Sequence, residues 1–528
     1  MLSVLDNIVI GLYLVLLVAA AFYVSRKKTS ENISSEDYFL AGKSLPWWAI
    51  GASLIAANIS AEQIIGQSGQ GFVLGLAIAA YEWQAAIVLI IVAKFMLPIF
   101  LKNKIYTMPQ FLEQRFGGEI KVLMAFFWLV LYTAVNLTAI LWLGALAINT
   151  LTGISINFGL VSLAALAIIY SIYGGLKAVA FTDIIQVVVL ILGGIIITYI
   201  ALAQIGDGGN VVHGFNTLLT EIPGHFQMIF ADDSPHYSSL PGIWTLLGGL
   251  WVLHFSYWGF NQYIIQRALA AENIQEAQKG LVFAAGLKLL IPVIVVIPGI
   301  AALWMAQNGM LDYNALNEKP DSTYGLLIGL VPDGIRGVVF AALIAAILSS
   351  LASMVNSIST IFTMDIYRDY IKKNAAEAHY VLVGRLCSVV AMIIAVLLAK
   401  PFVGNMESAF QLIQEYTGFV APGIVSVFLL GLFWPKCTKQ AAFAMLLISV
   451  IANIILKIYY PDIAFVIRIW GVFLACLAAG YLVSVLKQDE KPVAISNISG
   501  IQFATSKGFN HASMLITAIL VLIYAVFW

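Results

Sequence analysis

Residues 48–72 read WAIGASLIAANISAEQIIGQSGQGF, and this stretch restricts the fold more tightly than any other part of the chain. At about 1.5 Å of rise per residue it is long enough to cross a hydrocarbon core of about 30 Å. Yet Asn58, Ser60, Glu62, Gln63 and Gln67 interrupt its centre, and Gly66, Gly69 and Gly71 follow closely. Polar side chains and loosened backbone persist at membrane depth only where protein or a watery cavity surrounds them. The stretch therefore reads as the wall of a substrate path. The plainer alternative is a buried helix that packs closely through small residues, its polar groups bonding to neighbouring helices.

The remaining sequence places this stretch in a membrane. Of 528 residues, 61% are hydrophobic and 10% charged, whereas soluble proteins hold about 45–50% apolar residues. Apolar runs of more than about eighteen residues recur along the chain, which predicts an all-α, multispanning membrane protein. A formal net charge of zero argues against nucleic acid as a partner. Cys387, Cys437 and Cys476 have no metal spacing and sit in or beside apolar stretches as small hydrophobes. The N-terminus lacks a basic region before its first apolar run and has no small-residue cleavage site, so that run reads as a retained helix.

Counting apolar runs of spanning length predicts about fourteen helices. They cover 4–24, 48–72, 75–101, 119–150, 156–174, 182–205, 241–265, 278–307, 334–368, 378–400, 407–434, 440–459, 463–486 and 508–527. Basic residues fall in alternate connections: Arg26 to Lys28 with Lys43, then Lys102, Lys104 and Arg115, then Lys177, Arg267 and Lys279. Lys372 and Lys373, Lys436 and Lys439, and Lys487, Lys491 and Lys507 continue the series. The intervening loop 206–241 has no Lys or Arg, and 307–334 has only Lys319. Positive loops stay in the cytoplasm, so both termini are expected outside. Five spans after the interrupted helix comes a second uneven one, GIWTLLGGLWVLHFSYWGFNQY from Gly242. Two broken helices entering from opposite sides suggest inverted five-helix repeats with a site at the midplane between them.

Several residues carry chemistry in that setting. Lys288 lies far from either end of its helix, where an ammonium costs at least about 2.5–3.5 kcal/mol, so it is expected to face inward and have a partner; the other reading is snorkelling to an interface. Glu82 reads either as a site carboxylate or as an interfacial one near the outer end of its helix. Gln63, Gln67, Tyr81, His254, Tyr257, Trp258, Phe410 and Gln414 offer the amides and aromatic faces that a neutral polyol needs. An anionic substrate calls for Arg, and Arg385 and Arg468 sit near predicted helix ends. Ser349 and Ser350 put two hydroxyls on adjacent positions of an apolar helix. They fit either a hard-cation shell completed by loosened carbonyls or close helix packing. The GQSG run from Gly66 superficially suggests an intramembrane serine protease, but no catalytic constellation accompanies it.

These residues lie in stretches that together resemble the sodium/solute symporter family along nearly the whole chain. They are EDYFLAGKSLPWWAIGASLIAANISAEQ from Glu36, YSIYGGLKAV from Tyr170, YWGFNQYIIQR from Tyr257 and KGLVFAA from Lys279, with SSLASM from Ser349, IFTMDIY from Ile361 and IQEYTG from Ile413. Within the family the likeness is strongest to its bacterial galactose and glucose carriers. It implies two inverted five-helix repeats, 48–206 and 207–436, with discontinuous first and sixth core helices. One further helix precedes them in 1–47, and three follow in 437–528. It also implies sodium-coupled symport of a neutral hexose (galactose or glucose) across the cell's inner membrane, with no organic cofactor and no required oligomer.

Carried over by motif, the sugar-contacting positions are Gln63, Glu82, Ala85, His254, Lys288 and Gln414. Tyr257 with Asn58 forms the inner gate, and Tyr81, Phe410 and Gln67 the outer one. The sodium positions are Ala56, Ile59, Ala346, Ser349 and Ser350, with Asp183 on the ion's inward path. Ala85, His254 and Gln67 replace a serine, an asparagine and a methionine of the galactose carriers, which bears on which hexose is preferred. His254 is also a candidate source of pH dependence. Other expectations are symport of myo-inositol, sialic acid or an amino acid, or, more distantly, a sodium-permeable channel or a sugar sensor.

Overall fold

The computed structural model of the protein describes residues 2–26, 41–105, 107–404, 409–487 and 500–528. Apart from one parallel bridge between Leu45 and Ala271, the described residues form helices, turns and loops. Among the described residues, ten helices are long and apolar enough to cross a membrane. Four of the stretches expected from sequence are not among them. Stretches 48–72 and 241–265 are interrupted, while 4–24 and 156–174 lie within the continuous helices Val4–Arg26 and Ile156–Ile205, whose side chains are described only in part. The sequence separates 156–174 from 182–205, but the backbone is assigned as one helix, Ile156–Ile205. Fifty residues at about 1.5 Å each far exceed one hydrocarbon core, so this helix supplies two apolar stretches. The side chains of 172–179, in the YSIYGGLKAV run, lie outside the described ones, as do residues 36–40 of the run from Glu36.

The first broken helix begins as Trp47–Asn58 and stops at Ile59, whose backbone (φ −75, ψ 80) leaves the helical region. The amide of Ser60 turns back to the Asn58 carbonyl at 2.8 Å. It is thereby diverted from the Ala56 carbonyl, its partner in a continuing helix. A wide turn, Glu62–Gly66, leads into the outer half, Gln67–Leu74. That half ends at Gly75 (φ 69, ψ −147), where a Cβ would come within 2.2 Å of the His225 carbonyl oxygen; only glycine permits this turn beneath the outer loop. The second broken helix is interrupted twice. Gly248 separates Gly242–Leu247 from Gly249–His254, and extended Asn261 separates the wide turn Phe255–Phe260 from Gln262–Leu269.

The serine helix Ile335–Thr360 occupies the middle of the molecule. The apolar window of its span is 94% buried, against 17% for the C-terminal helix Lys507–Val526. The residues with hydrogen-bonding chemistry therefore lie where several helices shield them from lipid, while the periphery presents apolar side chains outward.

Candidate functional site

An ion pair organises the central cavity. Lys288 ends the helix Ile274–Lys288, is 1% exposed, and binds both Glu82 and Asn58. Its ammonium lies 4.7 Å from the centre of the Trp258 ring. Carboxylate, amide oxygen and ring face together offset the cost of a charge at this depth. The second carboxylate oxygen of Glu82 accepts from Gln67 Nε2 at 2.7 Å. Asn58 and Gln67 stand on the two halves of the first broken helix, so the ion pair bridges its break. Lys288 does not snorkel, and Glu82 is not interfacial.

Opposite the ion pair, Gln414 Nε2 donates to Glu62 Oε1 at 2.9 Å, and Gln63 Oε1 accepts from the Ser60 hydroxyl at 2.9 Å. On the outer side Tyr81 meets Phe410 edge to face at 5.2 Å and His254 at 6.4 Å. Phe410 reaches this place because Gly66 has no side chain: a Cβ there would lie 2.8 Å from the Phe410 Cβ. On the inner side the Tyr257 hydroxyl accepts from Asn58 Nδ2 and donates to the Tyr263 hydroxyl, each at 3.2 Å. The space left between these side chains is small, about 50 Å³, below the range of about 300–1,000 Å³ usual for small-molecule sites, so a solute has to push the lining side chains apart to be held here. Amides, a carboxylate pair, one ammonium and aromatic faces suit a compact, uncharged, hydroxyl-rich molecule.

A second polar cluster lies deeper. Asp183 accepts from Ser53 at 2.5 Å and from Ser349, and the Arg267 guanidinium stands 3.6 Å away. Arg267 also donates to Ser53 Oγ at 2.6 Å, to the Tyr263 carbonyl at 2.7 Å, and to Ser353. Its place in the sequence suggested a cytoplasmic connection, yet it is 1% exposed. The reason is that its partners come from three other helices, which no local pattern reveals. The two clusters are joined at the break in the first helix. Ser350 Oγ donates to the Ala57 carbonyl at 3.0 Å, and Tyr263 donates to the same oxygen.

The structure gathers most of the residues singled out from sequence. Asn58, Gln63, Gln67, Tyr81, Glu82, His254, Tyr257, Lys288 and Gln414 line one cavity. Phe410 stands behind Tyr81, and Ala85 is buried without lining the cavity. Ala56, Ile59, Ala346, Ser349 and Ser350 are all buried around the first break and the serine helix. Arg468, expected to anchor or pair, donates to Glu415 at 2.7 Å. Glu62, Asn136, Leu253, Ile413 and Thr417 line the cavity without having been assigned from sequence. Glu62 was noted only as an interruption, and Asn136, whose Oδ1 is buried without a partner, sits in the wide turn Leu131–Leu137. A lone Asn in an apolar span was the available signal for the second.

A family model described as the sodium:solute symporter family matches residues 38–449. The chain belongs to this family. Its members are transporters rather than enzymes. A sodium/glucose cotransporter of Vibrio parahaemolyticus is 49% identical, covering 100% of this chain and 99% of the relative. A human sodium/myo-inositol cotransporter is 32% identical over 83% of this chain and 64% of its own length. Among solved structures, a sodium-coupled sialic acid symporter in a substrate-bound outward-open state superimposes with a TM-score of 0.81. It shares 24% identity and covers 93% of this chain and 99% of its own. That likeness establishes a common fold.

Proposed function

We propose that this symporter couples sodium entry to import of a neutral hexose, galactose or glucose, by alternating access across the inner membrane of the cell. The observation that carries the reading is the unbroken run of contacts through the first helix break. It passes from Ser350 to the Ala57 carbonyl, on to Tyr263, Tyr257 and Asn58, and ends at Lys288 and Glu82 in the cavity wall. Sodium is bound by the freed carbonyls of Ala56 and Ile59 with that of Ala346 and the hydroxyls of Ser349 and Ser350. Ser350 offers its oxygen lone pairs to the ion while its hydrogen stays on the Ala57 carbonyl, so bound sodium steadies that carbonyl and the tyrosine pair that holds the inner side closed. After sodium leaves past Asp183, Tyr257 loses that support and the sugar exits inward.

In this reading 48–206 and 207–436 are inverted repeats that rock about the midplane, 1–47 and 437–528 are peripheral, and both termini face outward. A potential of 100 mV supplies about 2.3 kcal/mol per charge and a tenfold sodium gradient about 1.4, enough for roughly several-hundred-fold accumulation with one sodium. The similarity to glucose and myo-inositol cotransporters supports a polyol, and a cavity whose one ammonium already binds a carboxylate disfavours an anionic substrate. The test is counterflow of labelled galactose, glucose and myo-inositol into proteoliposomes with sodium or choline outside. Uptake that ignores sodium, or no uptake of any of the three, overturns the proposal.

A further inference from the structure

Each of the three cavity glutamines has one edge occupied by the wall behind it. Gln63 has its carbonyl oxygen taken by the Ser60 hydroxyl and, at 3.3 Å, by the Ser60 amide, so its amino edge remains for the cavity. Gln67 has its amino group on Glu82, and its Oε1 is buried without a partner. Gln414 has its amino group on Glu62, which leaves its carbonyl oxygen as the edge available to a ligand. Were the Gln414 amide reversed, two oxygens would face each other at that 2.9 Å contact, which requires a proton on Glu62; with Glu62 ionised the amide is held as seen. Glu62 is 6% exposed, and none of the ion pairs among the described residues includes it. Its carboxylate is therefore not the counter-ion of Lys288, a role Glu82 fills.

From this arrangement we infer that Glu62 is a positioning residue for sugar selection: it locks Gln414 with its carbonyl toward the solute, making that side of the cavity an acceptor and requiring a hydroxyl donor there. This deepens the hexose reading and rests on it. The cavity then carries a fixed polarity, with Gln63 donating and Gln67 and Gln414 accepting. A solute that places a hydroxyl donor opposite Gln414 leaves nothing unpaired, whereas one that presents only an acceptor meets oxygen with fluorine or ether and leaves a buried carbonyl unsatisfied.

The experiment measures sodium-dependent binding of galactose, glucose and their 2-, 3-, 4- and 6-deoxyfluoro forms by tryptophan fluorescence of the purified full-length protein. Fluorine does not donate a hydrogen bond, so at the position facing Gln414 the wild type is expected to bind the fluorinated sugar about threefold to tenfold more weakly than the parent. In Glu62→Gln the side-chain pair is satisfied in either orientation, Gln414 is free to turn, and that one ratio falls toward unity. A structural role alone would weaken every sugar by a common factor and leave the ratios unchanged, which overturns the inference. Should Glu62→Gln not purify folded, Gln414→Met removes the amide, and persistence of the penalty there overturns it equally. A wild type that binds none of these sugars overturns the hexose reading itself, whereas sugars bound with ratios insensitive to Glu62 overturn only the role of Glu62.

Discussion

Two cations are buried near the centre of this protein, Lys288 and Arg267, each 1% exposed, and they are held in different ways. Lys288 stands in a cavity wall with a carboxylate, an amide oxygen and a ring face, beside polar atoms that have spare capacity, such as Gln67 Oε1 and His254 Nε2. Arg267 stands in packed protein, and its donors reach Ser53, Ser353, the Tyr263 carbonyl and the vicinity of Asp183. A group with unmet neighbours beside a cavity is able to exchange partners with a solute. A group surrounded by fixed partners holds helices together, and its removal leaves a buried charge alone. The first arrangement suits recognition and the second suits a clamp between helices.

The sharpest way to break this contrast is to remove each cation. Arg267→Met strands Asp183 and is expected to cost about 3–5 kcal/mol of stability. Melting in detergent should show the loss, and the added change Asp183→Asn should recover at least half of it. Lys288→Met is expected to cost less stability, because Glu82 lines the cavity and its carboxylate can turn into it, while weakening sugar binding by at least about a hundredfold, or about 2.7 kcal/mol. Equal melting losses for the two variants would erase the distinction. Next in size is the joint change of Ser349 and Ser350 to Ala. It should abolish sodium stimulation of uptake while sodium-independent sugar binding stays within about threefold, as seen by equilibrium dialysis. Undiminished sodium-driven uptake would remove the ion from this cluster.

The smallest effect concerns a third buried ionisable group, in the outer loop. Asp321 accepts from the Ala409 amide at 3.1 Å, its Oδ1 has no partner, and burial pushes its carboxyl up to about 7. Because this value exceeds the ordinary 3.8, the folded chain holds a proton there that the unfolded chain has released. The docked loop is thus most stable at acid pH and loses stability as pH rises through about 7. Melting should fall by about 1 °C or somewhat more between pH 6 and 8, and Asp321→Asn should flatten that slope. An unchanged slope in the variant assigns the effect to another group.

How far the sequence reached differs between these places. The break at Ile59 was legible because Asn58, Ser60 and Glu62 are costly in lipid, and Lys288 declared itself by depth, whereas Glu82 stayed open between the site and an interface until its pairing with Lys288 was seen. The second interruption was legible through its glycines and aromatics, though its two separate breaks at Gly248 and Asn261 were not. Arg267 was misread because it follows the second broken helix where a loop was expected. Its pairing with Asp183 joins positions far apart in the chain, and hydropathy carries no information about such contacts. Glu62 was visible as an anomaly but not as the partner of Gln414, for the same reason.

What the amino-acid sequence determined by itself is the solvent in which this chain folds and the depth at which its polar residues lie. Transfer from water to hydrocarbon acts on each side chain separately, and its sum over about twenty residues decides what spans. What only the tertiary structure decided is which donor meets which acceptor. Glu82 engages Lys288 while Glu62 engages Gln414, and Arg267 turns inward, because hydrogen bonds act over about 3 Å between particular atoms. Only the packing of distant helices brings those atoms within reach.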